Sequence, residues 1–88
     1  MEPPTKTGYF MYSKSNCKWC NIAKDTLPGI KIVNLDHLTS IKEKTQLVTT
    51  MADHGSSAPH TFPFVFFNGI YLGGCTESLE HNIQRNRN

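Results

Sequence analysis

Eighty-eight residues, 38% of them hydrophobic and 18% charged, supply one modest core, which argues against a disordered chain and against more than a single domain over residues 1–88. A net charge of +2, with nine basic residues scattered along the chain and a pair of arginines only in the tail, at Arg85 and Arg87, leaves no footprint for nucleic acid or for a basic membrane helix. Three cysteines are too few and too odd in number for a secreted disulfide scaffold, and no stretch approaches the roughly 20 apolar residues of a membrane span. Met1-Glu2-Pro3-Pro4 has no basic region followed by an apolar run, so a cytoplasmic location is expected.

In chain order, the aromatic run Gly8 to Tyr12 predicts a buried first strand, closed by the polar stretch Ser13 to Asn16. From Lys18 onward, Trp19, Ile22, Ala23 and Leu27 recur at helical spacing, and Pro28-Gly29 supplies the stop. Ile30, Ile32, Val33 and Leu35 predict a second strand with both faces covered. Ser40-Ile41-Lys42-Glu43 has capping-box spacing, and Leu38, Ile41, Val48 and Met51 share one face of a second helix. After a loop over Asp53 to His60, Phe64 to Phe67 and Ile70 to Leu72 flank Asn68-Gly69, a pair whose residues tolerate the positive φ of a tight hairpin. Gly73-Gly74 ends the hairpin, and Thr76-Glu77 caps a third helix whose polar end, Gln84 to Asn88, is expected to fray. The order βαβαββα predicts an α/β fold: a mixed four-stranded sheet, its first two strands parallel through a crossover, with three helices on its faces.

The chemistry centres on Cys17-Lys18-Trp19-Cys20. Two cysteines one helical turn apart share a face and can close a disulfide. Cys17, at the helix start, meets unpaired N–H groups and the positive end of the helix dipole, which favour a thiolate, and Lys14 and Lys18 add positive charge. Cys20, inside the first turn, is expected to be more buried and less acidic, a resolving thiol to the Cys17 nucleophile. A lone pair of this kind also reads as half a zinc site or as two core cysteines. Zinc would need Cys75 with His54, His60 or His81, and the spacing offers no second ligand pair. The histidines are expected to be surface or loop residues, and Cys75 a small buried residue at a helix start.

Three motifs together resemble the glutaredoxin family of the thioredoxin-like fold, from Gly8 to about Ile83. Tyr12-Ser13-Lys14-Ser15-Asn16-Cys17-Lys18-Trp19-Cys20 is similar to its lysine-preceded dithiol segment, Thr61-Phe62-Pro63 to its Thr-Val-Pro with a cis-proline, and Gly73-Gly74-Cys75-Thr76-Glu77 to its Gly-Gly-x-Ser/Asp-Asp segment. The resemblance implies a dithiol glutathione-disulfide oxidoreductase with Cys17 and Cys20 catalytic. It further implies a glutathione site in which Phe62 at Pro63 pairs with the cysteinyl backbone and the N–H groups of Cys75 and Thr76, beside Gly74, take the γ-glutamyl carboxylate. Lys14 would meet the glycyl carboxylate, with Lys18, Trp19, His60 and Thr61 as further contacts.

Glutathione is then the reducing co-substrate and disulfide-containing proteins, ribonucleotide reductase among them, the partners. The chain would serve electron transport and cell redox homeostasis, as a monomer with no metal. The sequence departs from the pattern at Lys18, where proline is common, at Trp19, where tyrosine is usual, and at Phe62 for valine. Loss of that proline leaves an iron-sulfur cluster through Cys17 as a minor alternative. Beside these stand a thioredoxin-like enzyme recycled by a protein reductase, a metal carrier and a redox-dead adaptor.

Overall fold

The computed structural model describes residues 3–36, 43, 46, 47 and 62–86. Within them run β1 (Tyr9–Ser13), α1 (Lys18–Thr26), β2 (Lys31–Asn34), β3 (Phe64–Phe67), β4 (Ile70–Gly73) and α2 (Cys75–Asn86). The strands form one mixed sheet in the order β2-β1-β3-β4. β1 pairs parallel with β2, Met11 opposite Ile32, and antiparallel with β3, Met11 opposite Val65. The expected helix around Ser40 to Met51 lies mainly outside the described residues, although Glu43, Gln46 and Leu47 are helical.

The register follows from local chemistry. Asn68 and Gly69 take φ of 52° and 83°, the positive values that a two-residue hairpin matching the right-handed strand twist requires. The Asn68 side chain accepts the Gly8 N–H at 2.8 Å and the Asn68 N–H donates to the Gly8 carbonyl at 3.0 Å, which ties the hairpin to the start of β1. A register shift at Val65/Phe66 sets Val65 opposite Gly73 and Phe66 opposite Tyr71.

The period-2 alternation of β1 divides the core between the two faces of the sheet. Tyr9, Met11 and Val65 join Cys17, Cys20, Ala23, Leu27 and Cys75 on the face that carries α1 and α2. Phe10, Tyr12, Phe64, Phe66 and Tyr71 join Leu35 and Leu47 in a second cluster. Its rings pack edge to face, Phe10 on Tyr12 at 4.9 Å and Tyr12 on Phe66 at 5.8 Å between centroids. β1 is buried throughout.

Three sequence expectations shift. β2 is an edge strand, paired with β1 on one side only; its ends, Lys31 and Asn34, are exposed, while Ile32 and Val33 are half-buried and pack against the clusters on opposite faces of the sheet. The final helix starts one residue before Thr76 and continues through its polar end to Asn86. His81, expected at the surface or in a loop, is half-buried in α2, its Nδ1 2.8 Å from the Tyr9 hydroxyl and its ring 4.7 Å from Phe67. No helix among the described residues is long and apolar enough to cross a membrane.

Candidate active site

The chain leaves β1 at Ser13 and must turn within three residues to enter α1. Asn16 makes that turn at φ 57°, a left-handed conformation that asparagine tolerates better than most residues. Cys17 follows as N-cap with extended φ and ψ of −114° and 101°, and its Sγ accepts the Cys20 N–H at 3.1 Å. A disulfide sulfur therefore stands where a serine or aspartate oxygen usually caps a helix. The first turn carries no acidic residue to compete for the freed N–H groups. Cys17 and Cys20 are joined as a disulfide, their Cα atoms 5.2 Å apart. Both are buried, Cys20 at 2% exposure more deeply than Cys17 at 7%.

Beside the disulfide opens a cleft of about 230 Å³, lined by Trp19, Phe62, Pro63, Gly74, Cys75, Thr76 and Glu77. Six of these were candidates from sequence, drawn from three separate segments that the fold brings to one place. Trp19 is 54% exposed and forms a wall of the cleft rather than part of the core. The Phe62–Pro63 peptide is cis, as the resemblance implied. Lys14 and Lys18 stand behind the aromatic lining, Lys14 Nζ 5.6 Å from the Phe62 ring centroid and Lys18 Nζ 5.6 Å from that of Trp19. The disulfide lies in the apolar cluster that also holds Cys75 and against which Phe62 packs. His60 and Thr61 fall outside the described residues.

Glu77 is the cleft residue that sequence reasoning assigned only to capping. Its Oε1 accepts the Gly74 N–H at 2.7 Å, the side-chain half of a capping box, while Ser78 N–H donates to the Gly74 carbonyl at 3.1 Å. Glycine is required beneath it. A Cβ on Gly73, at φ 127°, would sit 2.7 Å from Glu77 Oε1. The Gly-Gly-x-x-Glu spacing carried this signal in the sequence.

Cys75, the first residue of α2, is a free buried cysteine. Burial first, and the Glu77 carboxylate second, push its thiol up. Among the described residues no group of three or more His, Cys, Asp or Glu is arranged to hold a metal ion.

A four-stranded mixed sheet with a disulfide at the start of its first helix and a cis-proline lining the same cleft as Trp19 of that helix defines a thioredoxin-like protein with a dithiol site. No family model matches the chain. It is 31% identical over 72 residues to the mitochondrial glutaredoxin-2 of Bos taurus, which covers 77% of this chain and 43% of that protein. The mitochondrial glutaredoxin-2 of Rattus norvegicus is 29% identical over the same length. The chain thus spans less than half the length of these curated relatives. Among solved structures, the holo form of glutaredoxin C1 from Populus tremula x tremuloides matches with a TM-score of 0.66 at 31% identity, over 93% of this chain and 79% of that one. A dithiolic glutaredoxin of Trypanosoma brucei brucei also reaches 0.66, at 24% identity over 92% of this chain and 81% of its own, a likeness of fold alone. The chain belongs to the glutaredoxin family.

Proposed function

We propose that this protein is a glutathione-dependent thiol-disulfide oxidoreductase that reduces protein disulfides and protein-glutathione mixed disulfides. The observation that carries the reading is the Cys17–Cys20 disulfide at the mouth of α1 beside a cleft with an aromatic wall, the cis-proline and the α2 start. In the reduced form the Cys20 N–H and the α1 dipole favour a Cys17 thiolate. That thiolate attacks one sulfur of the substrate disulfide, forming a mixed disulfide and expelling the other sulfur as a thiolate that takes up a proton. Cys20 loses its proton and attacks Cys17 Sγ, forming the Cys17–Cys20 disulfide and releasing the second substrate thiol. Two glutathione thiols, attacking in turn, restore the dithiol and leave as glutathione disulfide.

Glutathione would lie in the cleft as a short added strand on Phe62 beside Pro63 and Thr61. Its γ-glutamyl carboxylate would meet the N–H groups of Cys75 and Thr76 at the α2 start next to Gly74, and its glycyl carboxylate Lys14, with Lys18 and His60 adding positive or polar contacts. Trp19 would wall the groove. The same site would serve as electron donor to a dithiol protein such as ribonucleotide reductase, in the cytoplasm and as a monomer. The test is turnover of a glutathionylated peptide with glutathione and a coupled glutathione reductase. Full activity in Cys17→Ser would sink the proposal.

A further inference from the structure

We infer that Asp36 is a positioning residue for Cys17, acting through Ser15. This inference rests on the proposed role of Cys17 as nucleophile. The segment Lys14 to Asn16 connects β1 to α1, carries Lys14, and ends at the N-cap cysteine. The middle of this strap is bound by a side chain two residues past the end of β2: the Asp36 carboxylate accepts the Ser15 N–H at Oδ1, 2.8 Å, and the Ser15 hydroxyl at Oδ2. Both carboxylate oxygens thus hold a single residue two positions before Cys17.

Asp36 is itself oriented. Its N–H donates to Asn34 Oδ1 at 2.7 Å, a local turn that closes β2, and the Leu35 N–H donates to the Ser13 carbonyl at 2.8 Å, which carries the parallel pairing one step past the strands. The end of β2, fixed to the sheet, therefore grips the strap that the sheet would otherwise leave loose. Ser13 is held on one side, Ser15 on the other, and Asn16 has only its left-handed turn left to make. This places Cys17 Sγ against the Cys20 N–H and sets Lys14 beside Phe62.

Position and charge act in opposite directions, which makes the role measurable. Removing a carboxylate favours any neighbouring thiolate, whereas loosening the strap weakens the alignment that stabilises it. The experiment follows the pH dependence of Cys17 alkylation by iodoacetamide in the reduced full chain, read by mass spectrometry of the Cys17 peptide, for Asp36→Ala, Asp36→Asn and Ser15→Ala. Asp36→Ala, which removes both acceptors, should raise the Cys17 titration midpoint and slow its alkylation at neutral pH roughly fivefold, the weight of about one net hydrogen bond. Asp36→Asn, which keeps an acceptor for the Ser15 N–H, should remain within about twofold of the parent, and Ser15→Ala should fall between.

A lowered midpoint in both Asp36 variants would overturn the inference in favour of a charge effect. A lower melting temperature with an unchanged Cys17 titration would overturn it in favour of a structural role. If Asp36→Ala does not fold, Ser15→Ala decides, since an unchanged titration there overturns it as well. Alkylation requires no glutathione, so an inactive parent protein would defeat the proposed function and leave this readout intact.

Discussion

The Glu77 carboxylate closes back on the N–H of Gly74 at 2.7 Å, over the place where a side chain on Gly73 would stand. The same carboxylate caps α2, lines the cleft and, second to burial, pushes up the Cys75 thiol. Gly73→Ala should lower stability by more than about 1 kcal/mol, because it combines a positive φ with a Cβ forced into the carboxylate. Denaturant midpoints check this, and a neutral effect would show that Glu77 moves aside freely.

Glu77→Gln keeps an acceptor for the Gly74 N–H and removes the charge. Stability should fall by only a few tenths of a kcal/mol, while the Cys75 thiol becomes more acidic because one of its two raising causes is gone. Alkylation of Cys75 against pH, measured by peptide mass spectrometry, should shift to lower pH.

The two cysteines of the proposed cycle should separate by substrate. Cys20→Ser should retain turnover of a glutathione mixed disulfide, which needs one thiol, and lose reduction of an intramolecular protein disulfide, which needs the resolving attack. Coupled assays with both substrates distinguish these outcomes. Loss of both activities would instead place Cys20 in every turnover.

Tyr71 gives a pH dependence with a definite sign. Burial, with the Glu77 carboxylate second, pushes its hydroxyl up to about 12. The folded state then holds that proton more tightly than the unfolded chain, so the stabilisation is complete below the ordinary tyrosine value of about 10 and is lost as pH rises through the folded value. The Cys75 thiol has the same sign from the lower thiol range. Unfolding midpoints should fall with alkalinity, and Tyr71→Phe should flatten the upper part of that fall.

Phe10 is fully buried and packs its ring on Tyr12 and Phe66. Phe10→Ala should cost about 3–5 kcal/mol, the range for deleting a buried aromatic ring. Calorimetry measures it. A loss below about 1 kcal/mol would mean that the cluster collapses into the space.

The features legible in the sequence were those governed by neighbours along the chain. Asn68-Gly69 announced its hairpin because few residue pairs accept two positive φ values, and Cys17 and Cys20 announced a closable disulfide by their spacing. The burial of the first strand, Phe10 included, followed from apolar patterning. The half-burial of His81 did not, because its partner Tyr9 lies 72 residues away. Nor did the double grip of Asp36 on Ser15, across 21 residues, since nothing in either local segment marks the other.

The sequence by itself determined the strand and helix types of the described elements and the motifs that place Cys17, Pro63 and Gly73-Gly74 in one family pattern. Backbone propensity and short-range spacing are properties of the chain, present before it folds. Only the tertiary structure decided that Trp19 walls a cleft rather than fills the core, that β2 is an edge strand, and that Glu77 joins the site. Those outcomes depend on which surfaces the sheet order brings together. No single segment specifies that order, because each contact gains its value only when its distant partner is in place.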